Sequence, residues 1–223
     1  MNVTDTYYDE LKRFALGEGM ALFGVADVSG KGDKFLLPPA VSGALSRGIS
    51  IGYRLSGMAL ETIEGAPNQI YYFHYQRVNI LLDQTALKLC GLIHSKGYNA
   101  LPVPASQVID WERQLGTVSH REVARLAGLG WYGRNNLLVN ARFGSQVRYA
   151  TILTDMPLAC DAPTDESCGT CRACLSSCPA NAIGDNEFKL ALCRDKLKEF
   201  TKIQKIGQMI CGVCVKACRG SGK

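Results

Sequence analysis

The chain has 223 residues, of which 47% are hydrophobic and 20% charged, and its 25 basic and 20 acidic residues leave a net charge of +5. That mixture excludes a disordered chain, and the length allows one large domain or two small ones. No apolar run reaches the roughly 18 residues a bilayer span needs, and Met1–Glu10 is polar and acidic rather than signal-like, so a soluble cytoplasmic protein with no membrane partner is expected.

Thr4 and Asp5 are N-cap candidates for a first helix, with Tyr7, Tyr8, Leu11, Phe14 and Ala15 as its apolar stripe and Gly17 as its stop. Ala21–Val28 and Ile49–Leu55 read as strands, separated by a Gly-, Lys- and Pro-rich loop. The clearest helix runs over Asn68–Lys96, where Val78, Leu81, Leu82, Leu89 and Ile93 share one stripe and Gly97 closes it. Asn99–Val103 is extended, and Ser119 caps a helix over His120–Ala127, with Glu122 placed for a capping box. Asn136–Val139 and Val147–Leu153 read as two strands around an Asn140–Ser145 turn. Helices and strands thus alternate, an α+β layer, until composition shifts at Asp155–Pro163. The expected division is an α/β domain over residues 1–160 and a cysteine-held domain over 161–223.

Eight of the ten cysteines lie between Cys168 and Cys218. In a cytosolic chain such clustering points to metal rather than to disulfides. Cys168-x2-Cys171-x2-Cys174-x3-Cys178-Pro179 matches the spacing of bacterial two-cluster ferredoxins, in which the fourth cysteine serves the other cluster. The partner half is Cys193 followed by Cys211-x2-Cys214-x3-Cys218. Eight thiolates suffice for two 4Fe–4S clusters. Crossing the last cysteine of each run gives Cys168, Cys171, Cys174 and Cys218 to one cluster, and Cys178, Cys193, Cys211 and Cys214 to the other. The chain after Cys178 is expected to enter a helix at Pro179, Ala180 and Ala182. A second helix between Cys193 and Cys211 is expected to turn Leu197, Phe200, Ile203 and Ile206 inward. Zinc at Cys171, Cys174, Cys211 and Cys214 is the alternative, and it leaves four cysteines idle. Cys90 reads as a packing residue on a buried stripe and Cys160 as a loop thiol.

Residues 189–223 hold nine Lys and Arg against Asp195 and Glu199, so the rest of the chain carries two net negative charges. The basic segment offsets thiolate charge or meets an acidic partner. Nucleic acid is disfavoured, because the segment lacks interleaved aromatics and any known module. A two-cluster ferredoxin needs only about 55 residues, so the preceding 160 should bind a cofactor, a small molecule or a protein. Gly128-Leu-Gly130-Trp-Tyr-Gly133 satisfies G-x-G-x-x-G, but a helix precedes it and a strand follows it, the reverse of a dinucleotide site. His74, His94 and His120 read as surface or hydrogen-bonding residues. The run Tyr71–Tyr75 reads as a helix start packed on the core.

Ser119–Val139, Phe143–Arg148, Leu153–Asp155 and the paired cysteine runs resemble epoxyqueuosine reductases, above all their short relatives with a double 4Fe–4S binding domain. Reductive dehalogenases are similar at a lower level. The resemblance implies a nitroreductase-like α/β N-terminal domain that binds cobalamin, followed by a small two-cluster ferredoxin-like domain that reduces it. It implies an iron–sulfur oxidoreductase fed single electrons by a ferredoxin or flavodoxin. Gly128, Leu129, Gly130, Trp131, Gly133, Asn135, Gly144 and Ser145 would line the cofactor. Two departures argue against epoxyqueuosine in tRNA as the substrate. Asn99–Ala105 carries no carboxylate where the family has an Asp proton donor, Asp110 and Glu112 being displaced, and the family's C-terminal extension does not follow Cys218. Tyr53, Tyr72 and Tyr75 are the substitute acids on offer. The alternative function is a ferredoxin-like electron carrier whose N-terminal domain docks a redox partner.

Overall fold

A computed structural model describes residues 3–220; Lys223, counted in the basic segment, lies outside them. They form two compact units. The first comprises 1–53, 79–129 and 148–164, and the second 54–78, 130–147 and 165–223, within the described limits.

The first unit is built on a four-stranded sheet. Strands β1 (Leu22–Asp27), β2 (Arg47–Arg54), β3 (Ala100–Val103) and β6 (Val147–Thr154) take the order β1-β2-β6-β3. β1 pairs antiparallel with β2 from Leu22 opposite Gly52 to Asp27 opposite Arg47. β3 pairs antiparallel with β6 from Ala100 opposite Thr154 to Val103 opposite Thr151. Ile49, Ile51, Ile152 and Leu153 on these strands are wholly buried, as are Leu82, Leu89 and Ile93 on the expected stripe of α4 (Gln69–Ser95). Burying each such side chain contributes roughly 1.5–3 kcal/mol, which holds sheet and helix together.

Two strand glycines set how closely a helix can lie on the sheet. A Cβ on Gly24 would stand 2.6 Å from the Ala127 carbonyl oxygen, and one on Gly48 would stand 2.8 Å from Val123 Cγ1. Both contacts belong to α5 (His120–Leu126) and its end, so bare backbone is what lets α5 lie this close. Ser119 caps α5 as expected, its Oγ accepting from Glu122 N. Helix α1 (Val3–Gly17) packs on β1 as well; it buries Leu11 and Ala15, and the Tyr8 ring meets Phe23 edge-on at 5.4 Å.

The second unit contains α3 (Gly57–Glu61), the hairpin of β4 (Trp131–Tyr132) and β5 (Leu138–Val139), and the helices α6 (Ala173–Ser177), α7 (Leu190–Ile203) and α8 (Val213–Ala217). Helices α6 and α8 pack together, and α3 packs on α8.

Three sequence expectations are corrected. The strand at Leu138–Val139 does not pair with β6 around the Asn140–Ser145 turn. It pairs with β4, because Asn136 at φ 59° reverses the chain there, and Asn140 bridges Gly144 within its own turn. No helix follows Cys178: it precedes it as α6. Pro179 disfavours the helical conformation at Cys178, which sits extended at φ −69°, ψ 113°. Ile203 is not inward; it ends α7 61% exposed, while Phe200 and Ile206 are buried as expected and Leu197 is half-buried. Among the described residues no helix is long and apolar enough to cross a membrane.

Candidate iron–sulfur site

All eight clustered cysteines fall in the second unit, and its chain path repeats itself around them. Cys174 is the second residue of α6 and Cys214 the second of α8; each five-residue helix ends on an extended cysteine, Cys178 or Cys218. The amide of Cys178 donates to Leu175 O at 3.4 Å, and that of Cys218 donates to Val215 O at 3.2 Å. The spacing C-x2-C-x3-C therefore appears twice as the same local structure. Gly212 opens the second copy in the left-handed region at φ 81°, where a Cβ would stand 2.6 Å from both Ile63 Cδ1 and Tyr71 Cε1. The packed start of α4, with Tyr71 buried, is what this copy leans on.

The electrostatic neighbours of Cys174, Cys193, Cys211 and Cys214 sort the eight into two groups. Burial pushes Cys174 up to about 11, and the thiols of Cys218, Cys168 and Cys171 add to it. Burial pushes Cys211 up to about 11, with Cys193 and Cys178 raising it further while the Val213 amide and Lys196 oppose them. Cys193 is raised by burial and by Cys178. Cys214 is raised by burial and then by Cys211, Cys193, Cys178 and Cys174. The last of these neighbours belongs to the other group, so the two groups adjoin. The raised thiols of Cys174, Cys193, Cys211 and Cys214 are poor thiolates unless a cation compensates them, a charge that bound iron would supply. Among the described residues no three His, Cys, Asp or Glu side chains are gathered tightly enough to hold a single metal ion.

Donors already point at the sulfurs. Trp131 Nε1–H donates to Cys168 Sγ at 3.4 Å, and the Ala182 amide donates to Cys178 Sγ at 3.4 Å. Arg134, in the β4–β5 turn, clamps the first cysteine loop by donating to Gly169 O at 2.9 Å and Cys171 O at 3.3 Å. Its Nε lies 3.8 Å from Asp185, which also pairs with Arg172 at 2.6 Å. The role of Arg134 was not foreseen in the sequence; its only signal there was its place directly after Gly133.

The residues assigned to a cofactor are occupied by the chain itself. Gly128 (φ 69°) ends α5, and a Cβ there would stand 2.5 Å from Ala162 O; Leu129 is buried and donates its amide to Ala124 O. A Cβ on Gly130 would overlap the Val139 carbonyl across the hairpin, and one on Gly133 would stand 2.5 Å from Val139 Cγ2. Trp131 serves Cys168. Asn135 and Ser145 are both buried and bond each other at 3.1 Å. Gly144, at φ 60°, lets the Asn140–Gly144 turn lie directly on the Cys218 carbonyl. As placed, these residues are accounted for by chain crossings and do not by themselves mark a corrin site.

The other candidates have local partners too. Asp110 Oδ1 accepts from the amides of Glu112 and Arg113, which makes it a turn residue. His74 Nε2 accepts from the Ser56 amide at 3.0 Å. The two nitrogens of His120 reach Thr151 Oγ1 at 2.9 Å and Pro104 O at 3.0 Å. Tyr72 Oη accepts from Gln76 at 2.9 Å, and Tyr75 is buried. Cys90 is buried, which pushes its thiol up to about 11, whereas Cys160 is exposed.

No family model matches the chain. Its C-terminal part is similar to curated epoxyqueuosine reductases: that of Aliivibrio fischeri is 45% identical over 69 residues, 31% of this chain and 19% of the relative. That of Listeria monocytogenes is 33% identical over 85 residues, 38% of this chain and 22% of the relative. The chain therefore spans about a fifth of the length of the curated relatives it matches. Among solved structures, a reductive dehalogenase described with B12-dependent dehalogenation aligns at a TM-score of 0.78 and 18% identity, over 96% of this chain and 32% of that one. A selenomethionine-labelled epoxyqueuosine reductase aligns at 0.66 and 19%, over 94% and 64%. An epoxyqueuosine reductase with a modified tRNA-Tyr stem loop aligns at 0.62 and 18%, over 83% and 55%. The mixed helix-and-sheet fold is thus that of these two kinds of reductase, and identities this low speak for fold alone.

Proposed function

We propose that the chain is an iron–sulfur reductase that carries single electrons through two 4Fe–4S clusters to an acceptor. The observation that carries this reading is the grouping of the thiols: Cys168, Cys171 and Cys218 all neighbour Cys174, and Cys178, Cys193, Cys211 and Cys214 neighbour one another. Each group would hold one cluster, and a bound cluster supplies one-electron redox chemistry. The chain's own part is to orient and insulate. Trp131 and the Ala182 amide stabilise negative charge on Cys168 and Cys178. Arg134 holds the first cysteine loop in shape, and the Gly144 turn seats Cys218.

The similarity to epoxyqueuosine reductases over the cysteine-bearing part supports a reductase of that type, with the first unit as the nitroreductase-like body and a small electron-transfer protein as donor. A corrinoid is the acceptor this similarity suggests. Because the residues assigned to it are engaged with the chain itself, no step is derived through one. Titration of the anaerobic protein with hydroxocobalamin decides: saturable binding near one per chain supports a corrinoid acceptor, and no binding removes it.

Iron and sulfide analysis of anaerobically purified protein tests the central reading. About eight of each per chain, with a visible band bleached by dithionite, is the expected result. Tetrahedral zinc, or neither metal, would overturn it. A bare electron carrier is the second reading, favoured by the lack of a carboxylate in Asn99–Ala105. It predicts that the reduced protein passes electrons to partner proteins and turns over no small substrate.

A further inference from the structure

Beside the end of the second cysteine run, the second unit has an open cleft of about 460 Å3, the size of a small-ligand site. Its lining includes Arg54, Arg142, Arg219, Phe143, Glu61 and Met58. Arg54 ends β2 and Arg142 lies in the turn before Phe143, yet both guanidinium groups lie over that one ring, 5.1 and 5.0 Å from its centroid. Both arginines are exposed, and among the described residues neither pairs with a carboxylate. The third, Arg219, meets Glu61 at 2.7 Å, and the same carboxylate also holds Lys216 at 3.3 Å. Three arginines thus line the cleft against one carboxylate, Glu61, which Lys216 also engages.

Exposed arginines are often no more than solvated surface. Here two are fixed on one ring, which concentrates positive charge that a bound anion would relieve. A guanidinium held over a ring still has N–H groups to offer an oxyanion. A carboxylate accepts one such fork, whereas a phosphate has oxygens for two. We propose that this cleft binds a phosphate group, with Arg54 and Arg142 as its forks and Arg219 as a reserve cation held back by Glu61. The proposal requires neither cluster nor acceptor, although Arg219 directly follows Cys218 in the chain.

The test is calorimetric titration of the anaerobic full-length protein at low salt with three probes: inorganic pyrophosphate, adenosine monophosphate and a short RNA stem-loop. Saturable binding that weakens with added salt is expected for at least one of them. Arg54→Gln and Arg142→Gln should each weaken it roughly tenfold or more. Glu61→Gln, which releases Arg219, should tighten it. Binding of the first two probes identifies a free phosphorylated molecule; binding of RNA alone identifies a polymer backbone. No binding of any probe, or binding unchanged in both arginine variants, overturns the proposal. Circular dichroism and iron content on every variant show that the fold is kept. Iron without phosphate binding defeats this inference alone, and phosphate binding without iron defeats the reductase reading alone.

Discussion

The indole Nε1–H of Trp131 donates to the sulfur of Cys168 at 3.4 Å, joining the β4–β5 hairpin to the first cysteine of the ferredoxin-like run. A donor aimed at a ligand sulfur stabilises the more negative, reduced state of a cluster and so raises its potential. Trp131→Phe keeps the ring and removes the donor. On the proposed reading, the variant retains its iron, and one of two reduction steps in a redox titration moves to more negative potential. Two unmoved potentials would show that the contact is packing alone.

The crossed grouping of the thiols makes a paired prediction. Cys178 follows α6 in the chain, but its sulfur raises Cys193, Cys211 and Cys214 rather than its own run. Cys218 is likewise a leading neighbour of Cys174. Cys178→Ala and Cys218→Ala should therefore each lose about four of eight irons, and electron paramagnetic resonance should show a different cluster surviving in each. If both variants lose the same signal, the grouping is wrong.

The gathering of the eight cysteines was legible because C-x2-C-x2-C-x3-C-P is a local pattern, repeated with one gap. The helix Gln69–Ser95 was legible for a similar reason: its buried stripe recurs at helical spacing from Tyr71 to Ile93, about six turns. What failed depended on partners distant in sequence. Leu138–Val139 read as a strand, but pairing with Trp131–Tyr132 rather than with Val147–Thr154 rests on the left-handed Asn136, whose φ no propensity fixes. Ile203 matched a helical stripe that α7 ends before it can bury. The glycines of Gly128–Gly133 matched a ligand motif, and their actual neighbours, Ala162 and Val139, become visible only once the chain has folded back on itself.

Gly144 offers a test in which backbone geometry and cluster retention are read together. Its φ of 60° costs an alanine about 1 kcal/mol, and the added Cβ would overlap the carbonyl of Cys218. Gly220 also crosses this turn: a Cβ there would stand 2.7 Å from Gly144 N. Gly144→Ala should displace Cys218 and, on the proposed assignment, lower the occupancy of its cluster while leaving the group of Cys178 filled. The drop in overall stability should be about 1–3 kcal/mol in a denaturant titration. Full iron content at unchanged stability would show that the turn does not seat Cys218.

The His120 ring links α5 to the sheet edge and carries a pH signature. Burial holds its pKa down at about 4, with Arg148 adding to the effect while the bond to Pro104 O opposes it. The neutral ring can donate from Nε2 to Pro104 O and accept at Nδ1 from Thr151 Oγ1, an arrangement that protonation breaks. Unfolded histidine titrates near 6.5, so between that value and about 4 the unfolded chain takes up a proton that the folded one refuses. The contribution of His120 is therefore complete above pH 6.5 and is lost as pH falls towards 4, by about 2–3 kcal/mol. His120→Gln keeps a donor and an acceptor but does not titrate, so it should flatten the dependence of stability on pH across that window. Parallel curves for the two proteins between pH 4.5 and 7 would show that the acid sensitivity arises elsewhere.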